Sequence, residues 1–259
     1  RTYALVETSR NQLVAGTDGG PAWLRDGDWL PFVTVHSPIP GQIRALAVDA
    51  RGVLWIGART GLQSWDGRQL QSVSYAGPAH RTKIRTIRPA RDASIWVGTA
   101  QGLFRFGPQS TNGWGVADGL PHENVSALLE DRQGTIWIGT GGGGVARWTG
   151  RGFERFGVAQ GLSSDRVSCL LEDADGLVWA GTDRGLNVLR HGRFTAITTD
   201  QHLPENLVNA LAEDDRGWLW VGHDRGVYRV NRSDLLALAD GRGQAARWVE
   251  YAEADGMAN

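Results

Sequence analysis

Ten side chains in this sequence have the type and spacing to line a ligand site, and several of them are basic. Arg59, Gln101, Asp183, Arg184, His223, Asp224 and Arg225 follow, within one to three residues, a glycine that recurs along the chain. Arg44, Lys83 and Arg85 stand a fixed distance ahead of the same mark, Arg44 and Arg85 being 41 residues apart. Guanidinium and ammonium groups converging on a concave mouth suit a carboxylate, a sulfate or an acidic sugar, because they meet flat anions with paired, charge-assisted hydrogen bonds. The other reading of each residue is a solvated rim. A second set, Glu7, Glu130, Glu172 and Glu213, stands seven residues before the mark's tryptophan position. Such a ring could hold a cation, but Val48 and Pro89 break it, and ordinary strand-end polarity is the preferred reading.

Other chemistry is sparse. The histidines, at 36, 80, 122, 191, 202 and 223, show no metal-binding spacing, so no metal is expected. His122 and His223 could donate to a ligand from loops. Cys169 replaces a small alanine of the repeat and reads as a packed core thiol. Gly139-x-Gly141-x-x-Gly144 matches a dinucleotide fingerprint only formally, since it joins two strands and opens no helix. Its expected role is one extra residue in a turn. No serine, histidine and aspartate set and no nucleophile elbow appears, so neither enzymatic activity nor a cofactor is expected.

The elements that must position these residues come from a repeat. Trp55-Ile56-Gly57, Trp96-Val97-Gly98, Trp137-Ile138-Gly139, Trp179-Ala180-Gly181 and Trp220-Val221-Gly222 are five copies of one tripeptide, and Val14-Ala15-Gly16 is a sixth without the tryptophan. The glycines fall at 16, 57, 98, 139, 181 and 222, a period of 41 or 42 residues, which is that of a propeller blade. Each copy carries four short apolar segments. The first begins twelve residues before the tryptophan, at Thr2, Ile43, Ile84, Val125, Val167 and Val208. A turn follows, with Gly52, Gly134, Gly176 and Gly217 three residues before the tryptophan; Asn11 tolerates the same backbone, and Ala93 is the exception. The second segment ends in the tripeptide, and two more follow across tight turns. Too short for helices and bounded by glycines, all four read as strands of an antiparallel meander.

One such sheet is too small to stand alone, and stacking buries both of its faces. The fold class expected is therefore all-β, a β-propeller of six four-stranded blades at about 1–41, 42–82, 83–123, 124–165, 166–206 and 207–259, forming a single domain. The tryptophan is the wedge between blades, and Val14 predicts a looser first blade. In the last copy an insertion between the third strand (Val227 to Val230) and the fourth (near Trp248 to Tyr251) predicts a short helix over Ser233–Gly241 with a serine cap and a glycine stop. The tail Asp255–Asn259 reads as the lead-in of another repeat. Six copies either close as a ring or form part of a seven-bladed one.

Composition excludes several classes. The net charge of −1 lacks the basic excess of a nucleic-acid binder. No run of 18 apolar residues occurs, so no membrane contact is expected of this segment. The start at Arg1, without a leader, reads as a mature or excised segment.

The pattern D-x-x-G-x-[LI]-W-[IV]-G-T-x-x-G-[LV], seen in Asp131 to Val145, Asp173 to Leu186 and Asp215 to Val227, resembles the two-component regulator propeller repeat. The resemblance runs along essentially the whole chain. It implies the extracytoplasmic sensor part of a hybrid histidine kinase or diguanylate cyclase, placed in the periplasm, which binds and signals without catalysis. It implies too that the turns after each Gly-Thr and the starts of the innermost strands share one face. Arg1, Gln42, Lys83, Asn124 and Arg166, then Tyr3, Arg44, Arg85, Ser126, Ser168 and Asn209, would line that mouth. A small molecule or oligosaccharide is the expected ligand. A homodimer or an adjoining propeller is the other kind of partner, in which case the chain is an interaction scaffold with no small ligand.

Overall fold

The computed structural model describes residues 2–34, 37–39, 41–59, 61–73, 83–107, 110–242 and 246–252. Arg1, His36, His80 and the tail Asp255–Asn259 lie outside the described residues. The fold is a β-propeller of six four-stranded antiparallel blades. Blade 1 comprises Thr2–Glu7, Leu13–Thr17, Gly20–Arg25 and Asp28–Pro31. Blade 2 comprises Ile43–Val48, Leu54–Ala58, Gly61–Trp65 and Leu70–Val73, and blade 3 Ile84–Pro89, Ile95–Thr99, Gly102–Phe106 and Thr111–Trp114. Blade 4 comprises Val125–Glu130, Ile136–Thr140, Val145–Trp148 and Phe153–Phe156. Blade 5 comprises Val167–Glu172, Val178–Thr182, Gly185–Arg190 and Arg193–Ile197. Blade 6 comprises Ala210–Glu213, Trp218–His223, Gly226–Asn231 and Trp248–Ala252. By compactness the chain divides into two units, Arg1–Leu128 and Leu129–Asn259, and the division falls inside the first strand of blade 4.

The repeat's residues have physical reasons for their types. Trp137 and Trp179 are buried and donate from the indole Nε1 to Asp131 and Asp173, each at 2.8 Å. Trp55 donates to Asp49 at 3.2 Å and Trp220 to Asp214 at 3.0 Å. The same carboxylates take turn N–H groups, so the Asp-x-x-Gly hairpin and the indole are fixed together. In blade 6 the aspartate that does this is Asp214, one residue ahead of the Asp215 that the sequence pattern aligned. Blade 3 lacks the aspartate. There Ala93 holds the turn's left-handed position at φ +63°, and Asp92 accepts from Ser94 and Arg105 instead.

In blades 2, 3 and 5 the glycine two residues after the tryptophan is a seat for the next blade. A methyl group built on Gly57 would lie 2.5 Å from the Ile84 side chain, on Gly98 2.5 Å from Val125, and on Gly181 2.4 Å from Val208. In each case the intruding residue opens the next repeat. Glycine is what lets a β-branched side chain approach the backbone that closely. Blade 1 is not loosely packed, contrary to the expectation from Val14. Val14 pairs with Trp23, and Trp23, Phe32 and Trp65 fill the space with ring centroids 4.5 to 5.3 Å apart.

The insertion forms helix α1 (Arg232–Ala239). Its cap is Asn231, whose side chain accepts the Ser233 N–H, so the asparagine does what the serine was expected to do. Gly241, at φ +67°, ends it: Gly241 N–H donates to Leu238 and Arg242 N–H to Ala237, a Schellman pair.

Candidate functional site

The first strands of blades 1, 2, 3 and 5 share an irregularity. Ile43 pairs with Ala58 and Ala45 with Gly57, which leaves Arg44 without a partner of its own. The same slip isolates Tyr3, Arg85 and Ser168. A bulge of this kind re-aims one side chain while the strand continues. Sequence reasoning found these residues by their place in the repeat and missed the bulge, because a bulge is a property of pairing register.

In the unit Arg1–Leu128 four of the expected residues gather. Lys83 precedes the first strand of blade 3, where its carbonyl accepts the Ala100 N–H at 3.1 Å. Its ammonium is held below the ordinary lysine range by desolvation first, then by the charges of Arg44, Arg85 and Arg59. No carboxylate is among the groups acting on it. The Arg85 guanidinium is lowered by desolvation and by Arg44, and its buried Nε makes no hydrogen bond to the described residues. Arg44 donates from Nε to Gln42 Oε1 at 2.7 Å, and its guanidinium lies 4.9 Å from the centroid of the Tyr3 ring. Gln42 and Tyr3 both donate to Asp18 Oδ1, at 2.9 and 2.8 Å, and these two bonds, Tyr3 first, hold the carboxyl below its usual range. Arg44 and Arg85 are thus placed by bulges, and Arg44 is further braced by an aromatic face and an amide. Gln101 is exposed on the next turn, its N–H donated to Thr99 Oγ1.

In the unit Leu129–Asn259 the expected residues are differently disposed. Asp183 lies 3.3 Å from Arg166 in an ion pair, and Arg225 pairs with Glu205. Arg184 and Asp224 are exposed. Both ring nitrogens of His223 are shielded and unpartnered among the described residues, and its ring centroid lies 5.8 Å from that of the fully buried Tyr228. Sequence reasoning set Arg166 at the same mouth as Asp183 but missed Tyr228 and Glu205 as neighbours of these residues. His122 Nδ1 accepts the Asn124 N–H, a local turn contact.

The turns that carry Gln101, Asp183 and Arg184 are each closed by a threonine hydroxyl, as are the equivalent turns of blades 1 and 4. Thr17, Thr99, Thr140 and Thr182 each donate from the hydroxyl to the carbonyl of the glycine that ends the turn. In blade 4 that glycine is Gly144, one residue later than in blades 1, 3 and 5, so the glycine run does lengthen the turn by one. Two members of the acidic ring are blade-to-blade latches. Glu172 Oε2 accepts the Arg132 N–H at 2.9 Å, and Glu213 Oε2 accepts the Ala174 N–H at 2.6 Å. Among the described residues no group of three or more histidine, cysteine, aspartate or glutamate side chains could hold a metal ion. Among the described residues no helix is long and apolar enough to cross a membrane.

A family model described as two component regulator propeller matches residues 119–142, 161–184 and 202–225. No curated protein matches the chain. Among solved structures, the extracellular domain of the hybrid two component system BT3049 from B. thetaiotaomicron has a TM-score of 0.84 at 20% identity, over 99% of this chain and 34% of that one. The corresponding domain of BT4673 from the same organism gives 0.64 at 22% identity, over 97% of this chain and 40% of that one. Virginiamycin B lyase from Staphylococcus aureus gives 0.63 at 14% identity, over 81% and 69%. The chain thus spans about a third of the length of the first of these, and likenesses at such identities show a shared fold. What the matched segments add is a likeness of sequence: three stretches of the chain, one for each of the last three repeats, match the two component regulator propeller model.

Proposed function

We propose that this chain is the ligand-sensing propeller of a bacterial signalling receptor, lying on the periplasmic side of the membrane, and that it binds a small anion or an acidic oligosaccharide without transforming it. The observation that carries the reading is the cluster of Arg44, Arg59, Lys83 and Arg85 in a protein of net charge −1. Like charges held together at one end of adjacent strands repel one another, and a bound anion relieves that repulsion. The sensor role is supported by the repeat family and by the likeness to extracellular domains of hybrid two component systems. Arg59 and Gln101 would extend the site in the first unit. In the second unit, taken by itself, Asp183, Arg184, His223, Asp224 and Arg225 would be the polar ligand contacts.

Isothermal titration with oligogalacturonate, inorganic sulfate and a neutral oligosaccharide of equal length tests this. The anions bind, the neutral sugar does not, and affinity falls as salt is raised. Arg44→Gln combined with Arg85→Gln lowers affinity about a hundredfold or more, since each lost charge-assisted contact is worth about 1.5–3 kcal/mol. Equal binding of neutral and acidic sugars, or none of either, would sink the reading.

The second reading, an interaction scaffold with no small ligand, has one observation in its favour. The outermost strand of blade 1 exposes Trp29 and Leu30, and that of blade 6 exposes Trp248 and Val249. A mass in solution that doubles with concentration, together with silence in the titrations, would favour it.

A further inference from the structure

Blades 5 and 6 treat one local problem differently. In blade 5 the segment that leads into the first strand is tied down by side chains. Ser163 bridges two of them: its N–H donates to Asn187 Oδ1 at 2.8 Å, and its hydroxyl lies 2.8 Å from that of Thr182. One repeat of 41 residues later, the places of Ser163, Asn187 and Thr182 are held by Pro204, Tyr228 and His223. Proline has no N–H to give. The Tyr228 hydroxyl and both ring nitrogens of His223 are buried and unpartnered among the described residues. The two side chains share one face of the blade. Tyr228 pairs with Val221, and His223 stands two residues beyond Val221 on the same strand. Their ring centroids are 5.8 Å apart, and Tyr228 is fully buried.

Buried polar groups without a partner are rare, and they call for a ligand or an ordered water. The groups themselves select the chemistry. A phenol both donates and accepts, and an imidazole with one ring proton does the same. A carboxylate only accepts and an ammonium only donates, so either leaves half of this set unmet. A carboxylate is also repelled, since the Glu205 charge acts on Tyr228 and, after burial, helps to hold the phenol above its ordinary range. A hydroxyl group gives and takes through one atom. We infer that Tyr228 and His223 are the hydroxyl-reading part of the ligand site, where a ligand O–H takes the bridging role that Ser163 has in blade 5. The inference rests on the reading of the ligand as an acidic oligosaccharide, and it makes both residues determinants of specificity, favouring polyhydroxy anions over bare ones. One neutral hydrogen bond is too little to hold an uncharged sugar by itself. Water carries the same O–H chemistry, and the experiment separates the two sources.

The test compares oligogalacturonate, which carries hydroxyls, with inorganic sulfate, which near neutral pH carries none, on the 259-residue chain. Tyr228→Phe keeps the ring and removes only the hydroxyl. Calorimetry should show its affinity for oligogalacturonate lowered about fivefold, the worth of one neutral hydrogen bond, with sulfate affinity unchanged. In protein with isotope-labelled histidines, the His223 ring resonances, assigned by their absence from His223→Gln, should move with oligogalacturonate and stay with sulfate. That second readout uses the native sequence, so it decides the matter even where Tyr228→Phe folds poorly. Failure of either result while both ligands bind overturns the proposal, leaving a buried water as the partner and the anion reading standing. A loss of sulfate affinity equal to that of oligogalacturonate also overturns it, because Tyr228 then acts through the fold. Sulfate binding without oligogalacturonate binding overturns the hydroxyl site alone, and binding of neither overturns the two readings together.

Discussion

At the scale of single residues, the type found at each repeated position follows from what surrounds it, and Cys169 shows this most directly. It stands in the first strand of blade 5, where the other repeats carry alanine or threonine, with its sulfur against the seat formed by Gly181. Burial pushes the thiol from its ordinary 9.0 up to about 12, against a smaller opposing effect of the Gly181 backbone. The native state therefore keeps the proton across a window in which the unfolded chain loses it. A raised folded pKa means stability that is complete below 9.0 and is lost as pH climbs toward about 12. Denaturant midpoints measured at about pH 8 and about pH 10.5 should fall more for the native sequence than for Cys169→Ala, whose other titrations are the same. The folded thiol should also resist alkylation at the lower pH, as expected of a protonated, packed sulfur. Equal losses in the two proteins would remove burial of the thiol from the account.

Within an element, most of the fold was legible because its signals are local. The 41-residue period, the turn glycines and the apolar runs are set by backbone conformation and strand burial, and each can be read within a dozen residues. The Gly-Leu lead-in is an example. Gly119 and Gly161 end short 3-10 turns in left-handed conformations, and Leu120 and Leu162 are buried just after them. His202 holds the same conformation at φ +65° ahead of the buried Leu203. The candidate site was legible only in part, for a physical reason. Arg44, Lys83 and Arg85 are placed by strands, so their position in the repeat fixed where they go. Arg225 ends in an ion pair with Glu205, 20 positions away on a separate loop, which no local pattern reveals, whereas Asp183 pairs with Arg166, which the repeat had set at the same mouth. The filling of blade 1 by Trp23 and Phe32 escaped notice for the same reason. The lead-in itself is testable by two glycines. An added methyl on Gly161 would lie 1.9 Å from the Phe194 carbonyl oxygen, whereas one on Gly134 meets nothing within 4 Å. Both have positive φ, so each alanine costs about 1 kcal/mol of backbone strain. Gly161→Ala adds overpacking of about 1–3 kcal/mol more. Urea midpoints should separate the two variants by that amount, and equal midpoints would mean that the lead-in does not pack against blade 5 as described.

For the molecule as a whole, a stack of like sheets has its stability distributed over neighbour-to-neighbour contacts, and few contacts act at long range. The latches between blades 5 and 6 concentrate that principle in one side chain. Arg232, at the start of α1, is 18% exposed, lies 2.6 Å from Asp175 and donates to Glu213 at 3.0 Å, while Glu213 in turn accepts the Ala174 N–H. The fully buried Asp173 lies 3.8 Å away. One guanidinium therefore balances the carboxylates of a turn in blade 5 and a strand of blade 6. Replacing it with an apolar side chain of similar length leaves those carboxylates facing one another, partly out of water. Breaking such a buried pair by removing one partner costs about 3–5 kcal/mol. Because coupling passes between neighbours, Arg232→Met should raise amide hydrogen exchange in the turn Asp173–Gly176, in the first strand of blade 6 and in α1, and leave blades 2 and 3 protected as before. The double variant Arg232→Met with Glu213→Gln should recover part of the loss, since it removes a charge that the single variant strands. Uniform loss of protection in every blade would mean that the molecule unfolds as one cooperative body, and that the latch is a local detail with no local consequence.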